Sequence, residues 1–355
     1  MKGSLIDRML PAPVGGGFRM DGYWVWDGSV IKGEDGRYHM FASRWPKKFP
    51  MYTGWMVASE VIRASCDTPG GTYQFEEVVL PARGPQYWDG RSTHNPHITK
   101  VGDKYVLYYM GTTHIFTEPE ADLKLDDPRV LVARSNKRVG IAVSDSIFGP
   151  WKRFDKPIME PRPDKYDNFF VSNPAPCPCP DGKMLLIYKS RSFQEKPYNS
   201  VSLWTAYSIH GSTQRLGAVI ADRYDGDYTK NRTDGPIFDA NRDVEDPFVW
   251  YDEDGFNIMA KDMNGSICGE PLAGIHGLSK DGIHWEFETG SPFYSRNILW
   301  DDGVVRRVGN MERPCLLMED GKPTHAFFAV SDAKGNEGIL GATETWTMVI
   351  PLKTE

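Results

Sequence analysis

The sequence predicts an all-β fold, a five-bladed β-propeller, on three observations. A short polar segment is followed eight residues later by a turn aspartate at five places: Asp27 to Asp35, Asn95 to Asp103, Asn173 to Asp181, Asp246 to Asp254, and Glu312 to Asp320. The start-to-start intervals are 68, 78, 73 and 66 residues and run the length of the chain. Between the turn signals lie short apolar and aromatic runs, and no stretch carries a long helical period; 16 Tyr and 11 Trp suit strands better than helices.

Each unit is built in the same order. The polar segment opens a first strand, and the aspartate with a neighbouring Gly or Lys makes a hairpin turn. A second strand follows: RYHMFAS (37–43), KYVLYYM (104–110), KMLLIYK (183–189), FNIMAKD (256–262) and THAFFAV (324–330). A third piece carries an Ala-X-Ser or Gly-X-Ser signature: VASE (57–60), IAVSDS (141–146), TAYS (205–208) and HGLSKDG (276–282). A fourth places an aromatic after a turn, in TYQFEE (72–77), GPWKRF (149–154) and IHWEFE (283–288). Three or four antiparallel strands per unit make a propeller blade. A sandwich would not repeat one polar segment at one spacing five times, and solenoid repeats of roughly 20–50 residues are shorter than these units. The repeat runs through both halves of the 355 residues, so one domain is expected, its ring closed by the N-terminal stretch before residue 20 or by TETWTMVIPL (343–352).

Composition limits the partners. The net charge is −7, from 41 basic and 48 acidic residues that are interspersed, which argues against a nucleic-acid surface and an anionic membrane surface. No apolar run approaches the roughly 20 residues of a membrane span. The start, MKGSLIDRMLPAPVGGG, lacks an apolar signal-peptide core, so the expected location is cytoplasmic, or periplasmic or secreted with a leader removed. Five cysteines (Cys66, Cys177, Cys179, Cys268 and Cys315) form neither a disulfide framework nor a zinc motif. No cofactor or metal is expected, with room left for a structural calcium ion in the channel.

In a propeller the innermost strands surround the axis, so the five segment openers meet at the channel mouth. These are Asp27, Asn95, Asn173, the pair Glu245–Asp246, and Glu312. Acidic groups from three blades in one funnel suit glycoside hydrolysis: one carboxylate activates water or attacks carbon, another holds a proton for the leaving oxygen, and a third tunes the second. Asn95 and Asn173 offer both ends of an amide to sugar hydroxyls. Tyr23, Trp24 and Trp26 beside Asp27 suit stacking on a sugar face, and Trp26 is the expected contact. Glu245 and Asp246 point to opposite faces of a strand, and Asp246 is the expected inward one. Arg313 beside Glu312 can pair with a carboxylate. His94 (THNP) and His114 (GTTH) are candidates to line the pocket. Arg44, Lys189, Arg191 and Lys261 end the second strands. If they face the pocket, they suit a sugar bearing a carboxylate or sulfate.

The chain resembles the five-bladed β-propeller glycoside hydrolases, the group that holds the arabinanase and xylosidase family 43 and the anhydro-galactosidase family 117. The resemblance rests on WDGSV, NKRVGIAVSDSIFGPWKR (136–153), SKDGIHW (279–285) and ERPCLL with DGKPTH (312–325), and it covers essentially the whole chain. It implies an inverting, exo-acting glycosidase on plant, algal or microbial oligosaccharides, with Asp27 as general base. Family 43 enzymes usually carry acidic residues in blades two and three, where this chain has Asn95 and Asn173. The acidic positions in blades one, four and five are closer to family 117, in which a histidine can be the acid. His276, in AGIHGLSKDG, is the candidate beside Glu312. A glycoside phosphorylase, with phosphate held by Lys189, Arg191 and Lys261, and a sugar-binding propeller without catalysis are the alternative readings.

Overall fold

Five antiparallel sheets stand around one axis in the computed structural model, which describes residues 3–192, 213–239, 241–334 and 338–353. A short helix, α1 (Leu5–Arg8), precedes the first blade. Blade one is β1 (Tyr23–Lys32), β2 (Tyr38–Pro46), β3 (Glu60–Cys66) and β4 (Gln74–Leu80), with α2 (Met51–Ala58) between its second and third strands. Blade two is β5 (Ser92–Val101), β6 (Lys104–Thr112), β7 (Arg138–Ser144) and β8 (Lys152–Arg153), with α3 (Pro128–Ser135) inserted before β7. Blade three is β9 (Phe170–Pro178), β10 (Met184–Arg191) and β11 (Arg215–Ala221). Blade four is β12 (Val244–Asp252), β13 (Gly255–Asp262), β14 (Ala273–Ser279) and β15 (Glu286–Phe287). A two-stranded ribbon of β16 (Asn297–Leu299) and β17 (Val305–Arg307) leads to blade five, which is β18 (Asn310–Glu319), β19 (Lys322–Ser331) and β20 (Thr345–Pro351). Each blade pairs its strands in sequence order, innermost first.

The strand expectations hold with two adjustments. VASE (57–60) straddles the end of α2, and the third strand starts at Glu60. The local reason is packing: Met56 and Val57 of α2 bury against Val130 and Ala133 of α3. TAYS (205–208) lies outside the described residues; the third strand described in blade three is β11.

Period-two alternation builds the core, because each middle strand sends alternate side chains to the blades on either side. In β6, Tyr105, Leu107 and Tyr109 join Phe41 and Val61 of blade one, whereas Val106 and Tyr108 join Leu186 and Tyr188 of blade three. The same rule packs Ile187 against Ile258 between blades three and four. Blades four, five and one share a cluster that includes Met259, Phe327 and Met40.

The N-terminal stretch closes the ring on the C-terminal blade. Phe18 and Thr347 exchange backbone hydrogen bonds of 2.9 and 3.0 Å, and Leu10 N donates to Pro351 O at 2.9 Å. Gly17 bonds across to blade one, donating to Gly71 O at 2.9 Å and accepting from Tyr73 N at 2.8 Å. Gly17 sits at φ +83°, where a Cβ would stand 1.9 Å from Thr347 O, so the seam needs glycine there. The outer edge of β20 is thereby covered rather than exposed.

Candidate active site

One residue of each innermost strand breaks the strand at the axis. Asp27, Asn95, Asn173, Asp246 and Arg313 all adopt left-handed backbone, with φ of 65°, 53°, 48°, 57° and 51°. Each lies within a register shift of its hairpin. Non-glycine residues there carry strain of roughly 1–3 kcal/mol each, so surrounding structure must hold them. The bulge re-aims the side chain toward the axis. In four of the five, proline follows (Pro96, Pro174, Pro247, Pro314).

This ring shifts the expected phase in blade five. The structural counterpart of Asp27 is Arg313, and Glu312 matches Glu245 and His94, one residue earlier. Counting back eight residues from the turn aspartate misplaces it because Asp320 takes the first position of its two-residue turn, whereas Asp103 and Asp254 take the second. The proline following the ring residue was the better marker.

The ring is tied together by its own side chains. Asn95 donates to Asp27 through its backbone N (3.0 Å to Oδ2) and its Nδ2 (2.9 Å to Oδ1). Ser43 also donates to Asp27 Oδ2. Asn173 Nδ2 donates to Asp246 Oδ1 at 2.6 Å. Arg313 lies between the aspartates, with Nε 3.2 Å from Asp27 Oδ1 and an Nη 3.7 Å from Asp246 Oδ1.

A cavity of about 260 Å³ opens above this ring, at the end where the innermost strands begin. Asn95, Asn173, Asp246 and Arg313 form part of its lining. Glu245, Glu312, His94 and Asn310 come from the same innermost strands. Trp26, Trp45, Tyr52 and Trp55 supply an aromatic wall, and Arg134, Lys137 and Lys189 a set of cations. Gln214, Met51, Met263, Leu272 and Ile339 also line it.

The carboxylates gather in blades four and five. Glu245, Asp246 and Glu312 each bring an oxygen within 4.8 Å of the others. Lys261, fully buried, puts its Nζ among them: 2.6 Å from Glu245 Oε1, 2.8 Å from Glu312 Oε1 and 3.5 Å from Asp246 Oδ2. An ammonium therefore already stands where a cation would bind. Lys189 Nζ meets the other Glu245 oxygen at 2.6 Å.

These contacts set the charges unequally. Burial alone would push Glu245 up, but Lys189 and Lys261 hold it well below the usual carboxylate range. Glu312 goes the other way: burial, with the neighbouring Asp246 and Glu245, raises it against the pull of Lys261. Glu245 has two ammonium partners, Asp246 has Arg313 and Lys261, and Glu312, among the described residues, has a share of Lys261 plus a hydrogen bond from Asn310 Nδ2 at 2.9 Å. Of Glu245 and Glu312, Glu312 is the one that holds its proton more tightly than usual. Burial would lower Lys261, yet Glu245, Glu312 and Asp246 raise it well above its ordinary value.

His94 stacks on Trp55 with ring centroids 4.9 Å apart, and its Nδ1 is 2.9 Å from Ser59 Oγ. Burial lowers its pKa to about 4 despite Asp27, so its ring is neutral near pH 7.

Several sequence candidates lie elsewhere. Asp27 is 1 % exposed and lines, instead of the axial cavity, a void of about 10 Å³ that it shares with His97, Arg313 and Cys315. His276 on β14 is held between Asn257 Oδ1 (3.1 Å) and Glu288 Oε1 (3.2 Å) and stacks on Phe293, outside the cavity lining. Arg44 pairs with Glu60 at 2.7 Å and lies over the rings of Tyr23 and Phe75. His114 stacks on Phe116, away from the lining. Arg191 does not line the cavity, though its charge depresses Lys137 and Arg134. Lys261 lies beneath the carboxylates and not at the surface of the cavity. Sequence reasoning missed Trp45, Tyr52 and Trp55, although RWPKKFPMYTGW (44–55), from the end of β2 into α2, is aromatic-rich, and Arg134 and Lys137, which carry no local signal.

No protein-family model matches the sequence, and no curated protein matches it. Solved structures do match. A family 117 glycoside hydrolase of the marine bacterium Zobellia galactanivorans superposes with a TM-score of 0.61 at 17% identity, covering 98% of this chain and 88% of that one. The native arabinanase of Bacillus subtilis gives 0.58 at 14% identity, covering 94% of this chain and 96% of that one. A family 43 β-xylosidase/α-arabinofuranosidase from a compost metagenome, solved with xylotriose, gives 0.58 at 13% identity, covering 98% and 96%. This chain therefore shares the five-bladed fold of those enzymes.

Proposed function

We propose that this propeller is an exo-acting, inverting glycoside hydrolase whose substrate is an oligosaccharide or glycoside bound in the axial cavity. The observation that carries the reading is the divergence of Glu312 and Glu245. Two carboxyl groups in one cavity, one pushed up and one held down, give a site a proton donor beside a fixed negative charge. The aromatic wall suits the apolar face of a sugar, and the ring amides suit its hydroxyls. A cavity of about 260 Å³ is small for a ligand site and suits one terminal sugar unit, which supports exo action. The fold shared with families 117 and 43 supports the same chemistry.

In this reading Glu312 protonates the leaving oxygen as the glycosidic C–O bond breaks. Lys261, 2.8 Å away, then stabilises the carboxylate that Glu312 becomes. A water attacks the anomeric carbon from the opposite face and gives its proton to Asp27. The first-blade position of Asp27, directly bonded to the cavity residues Asn95 and Arg313, supports that assignment. Its oxygens accept from Ser43, Asn95 and Arg313 in the free protein, so substrate must reorder these contacts for Asp27 to receive a proton; catalytic hydrogen bonds commonly tighten only in the substrate complex. Inverting pairs are roughly 6.5–9.5 Å apart, so the base must come from outside the tight group of Glu245, Asp246 and Glu312.

The test is a screen against aryl glycosides and plant and algal oligosaccharides, with product stereochemistry read by NMR. Cleavage with an inverted first product is expected. A retained anomer would move the second catalytic role from Asp27 to Asp246. No turnover on any member, with sugar still bound, would favour a binding propeller.

A further inference from the structure

Lys137 has a counter-charge missing. It follows α3, lines the cavity and is only 2 % exposed. Its Nζ lies 3.5 Å from the Phe170 ring centroid and 5.3 Å from that of Trp55. Among the described residues no carboxylate pairs with it; Glu245, the acidic group whose field it feels most, is occupied by Lys189 and Lys261. Aromatic faces attract a cation but do not neutralise it. A buried ammonium without an anion is costly, and burial together with Arg134, Lys189 and Arg191 accordingly depresses Lys137 well below the ordinary lysine range.

Arg134, Lys137, Lys189 and Arg313 face the cavity against Glu245, Asp246 and Glu312. Asp246 is matched by Arg313, and Glu245 by Lys189. Among the described residues Lys137 is left facing none of these carboxylates, with the Arg134 guanidinium in the same lining.

We infer that Lys137, flanked by Arg134, forms an anion subsite inside the cavity, and that the sugar it accepts bears one negative charge, a carboxylate or a sulfate ester. The inference rests on the proposed binding of a sugar in this cavity and adds its substrate class. A single charge fits better than a phosphate dianion, because Glu245 and Asp246 line the same small space and repel a second charge. With the anion seated, Lys137 holds its proton and makes a charge-assisted hydrogen bond to the ligand, while the Trp26, Trp45 and Trp55 wall takes the apolar ring face.

Binding of free sugars, measured by calorimetry, tests this without needing turnover. The panel is D-glucuronate, D-galacturonate, D-mannuronate and the 6-sulfates of glucose and galactose, each against its neutral parent, with inorganic phosphate as a separate arm. At least one charged sugar is expected to bind about tenfold or more tightly than its parent, the usual worth of a hydrogen bond to a charged group. Which charged class wins separates carboxylate from sulfate. Lys137→Met should collapse that preference and Lys137→Arg should keep most of it, with thermal melting run on both to confirm folding. The subsite is overturned if no charged sugar exceeds its parent, if the preference survives in a folded Lys137→Met protein, or if phosphate alone binds as tightly as the best sugar and competes with it. Should a charged sugar bind while no aryl glycoside is cleaved, the subsite stands and the hydrolytic reading falls. Should neutral glycosides alone be cleaved, with no anion preference, the hydrolytic reading stands and the subsite falls.

Discussion

Arg313 Nε donates to Asp27 Oδ1 at 3.2 Å, joining the axial residues of the last and first blades across 286 positions of sequence. The same guanidinium lies 3.7 Å from Asp246. Two buried aspartates thus share one cation, with Lys261 3.5 Å from Asp246 as its second. Replacing Arg313 with Met should destabilise the protein by about 3–5 kcal/mol, the usual cost of leaving a buried charge without its partner. Urea denaturation measures this, and a loss under about 1 kcal/mol would show that the aspartates find other support.

Asp27→Asn keeps the shape of the first-blade residue and removes its basicity. Turnover should fall at least about a hundredfold, in line with a general base, while sugar binding largely survives. Steady-state rates beside calorimetric binding check both halves. Full activity in the variant, or a retained anomer from the parent enzyme, would remove Asp27 from the base role.

Glu312→Gln should behave differently. Loss of the acid should slow glycosides with poor leaving groups far more than activated aryl glycosides, since only the former need the proton. Rates across aryl leaving groups of graded acidity check this; an equal loss across the series would assign Glu312 a binding role alone.

Glu312 also carries a stability signature. Its folded-state pKa is raised, so the folded protein holds the proton more tightly than the unfolded chain. The linked stability is fully present below the unfolded carboxyl range, about pH 4.3, and is lost as pH rises through the folded value. The Tm of the parent minus that of Glu312→Gln should therefore fall as pH rises from about 4 toward neutrality. Glu245 has the opposite sign: its folded pKa is depressed, so its contribution is present above the unfolded range and lost on acidification. A Tm difference that climbs with pH for Glu312→Gln would contradict the environment described for that carboxyl.

Ring closure gives a prediction remote from chemistry. Gly17→Ala forces a Cβ to within 1.9 Å of Thr347 O at a positive φ. The backbone strain alone is roughly 1–3 kcal/mol, and the clash adds to it. A lowered Tm, with exchange protection lost at Phe18 and Thr347, is expected; an unchanged Tm would mean that the seam can shift freely.

Strand identity was legible because its causes are local. Alternation in KYVLYYM and the turn aspartates at 103, 181 and 254 act within a few residues, so the second strands of all five blades stand where the pattern put them. The five axial segments were legible for the same reason. The phase of the fifth was not, because Asp320 opens its two-residue turn while Asp103 and Asp254 close theirs, a one-residue difference that a count of spacing does not reveal. His276 looked chemical from its neighbours in sequence, yet its position on β14 turns it to Asn257, Glu288 and Phe293.

The sequence by itself determined that five strand units repeat around an axis and that Asp27, Asn95, Asn173, Asp246 and the Glu312–Arg313 pair meet there. Repetition and turn chemistry are enough for that. Only the tertiary structure decided which carboxyl is pushed up and which is held down, which cations reach the cavity, and that Lys261 sits beneath three acids while Lys137 faces none among the described residues. A pKa and a counter-charge depend on burial and on neighbours dozens to hundreds of residues away. Those distances come into being only when β18 packs beside β12 and β1 and the ring closes.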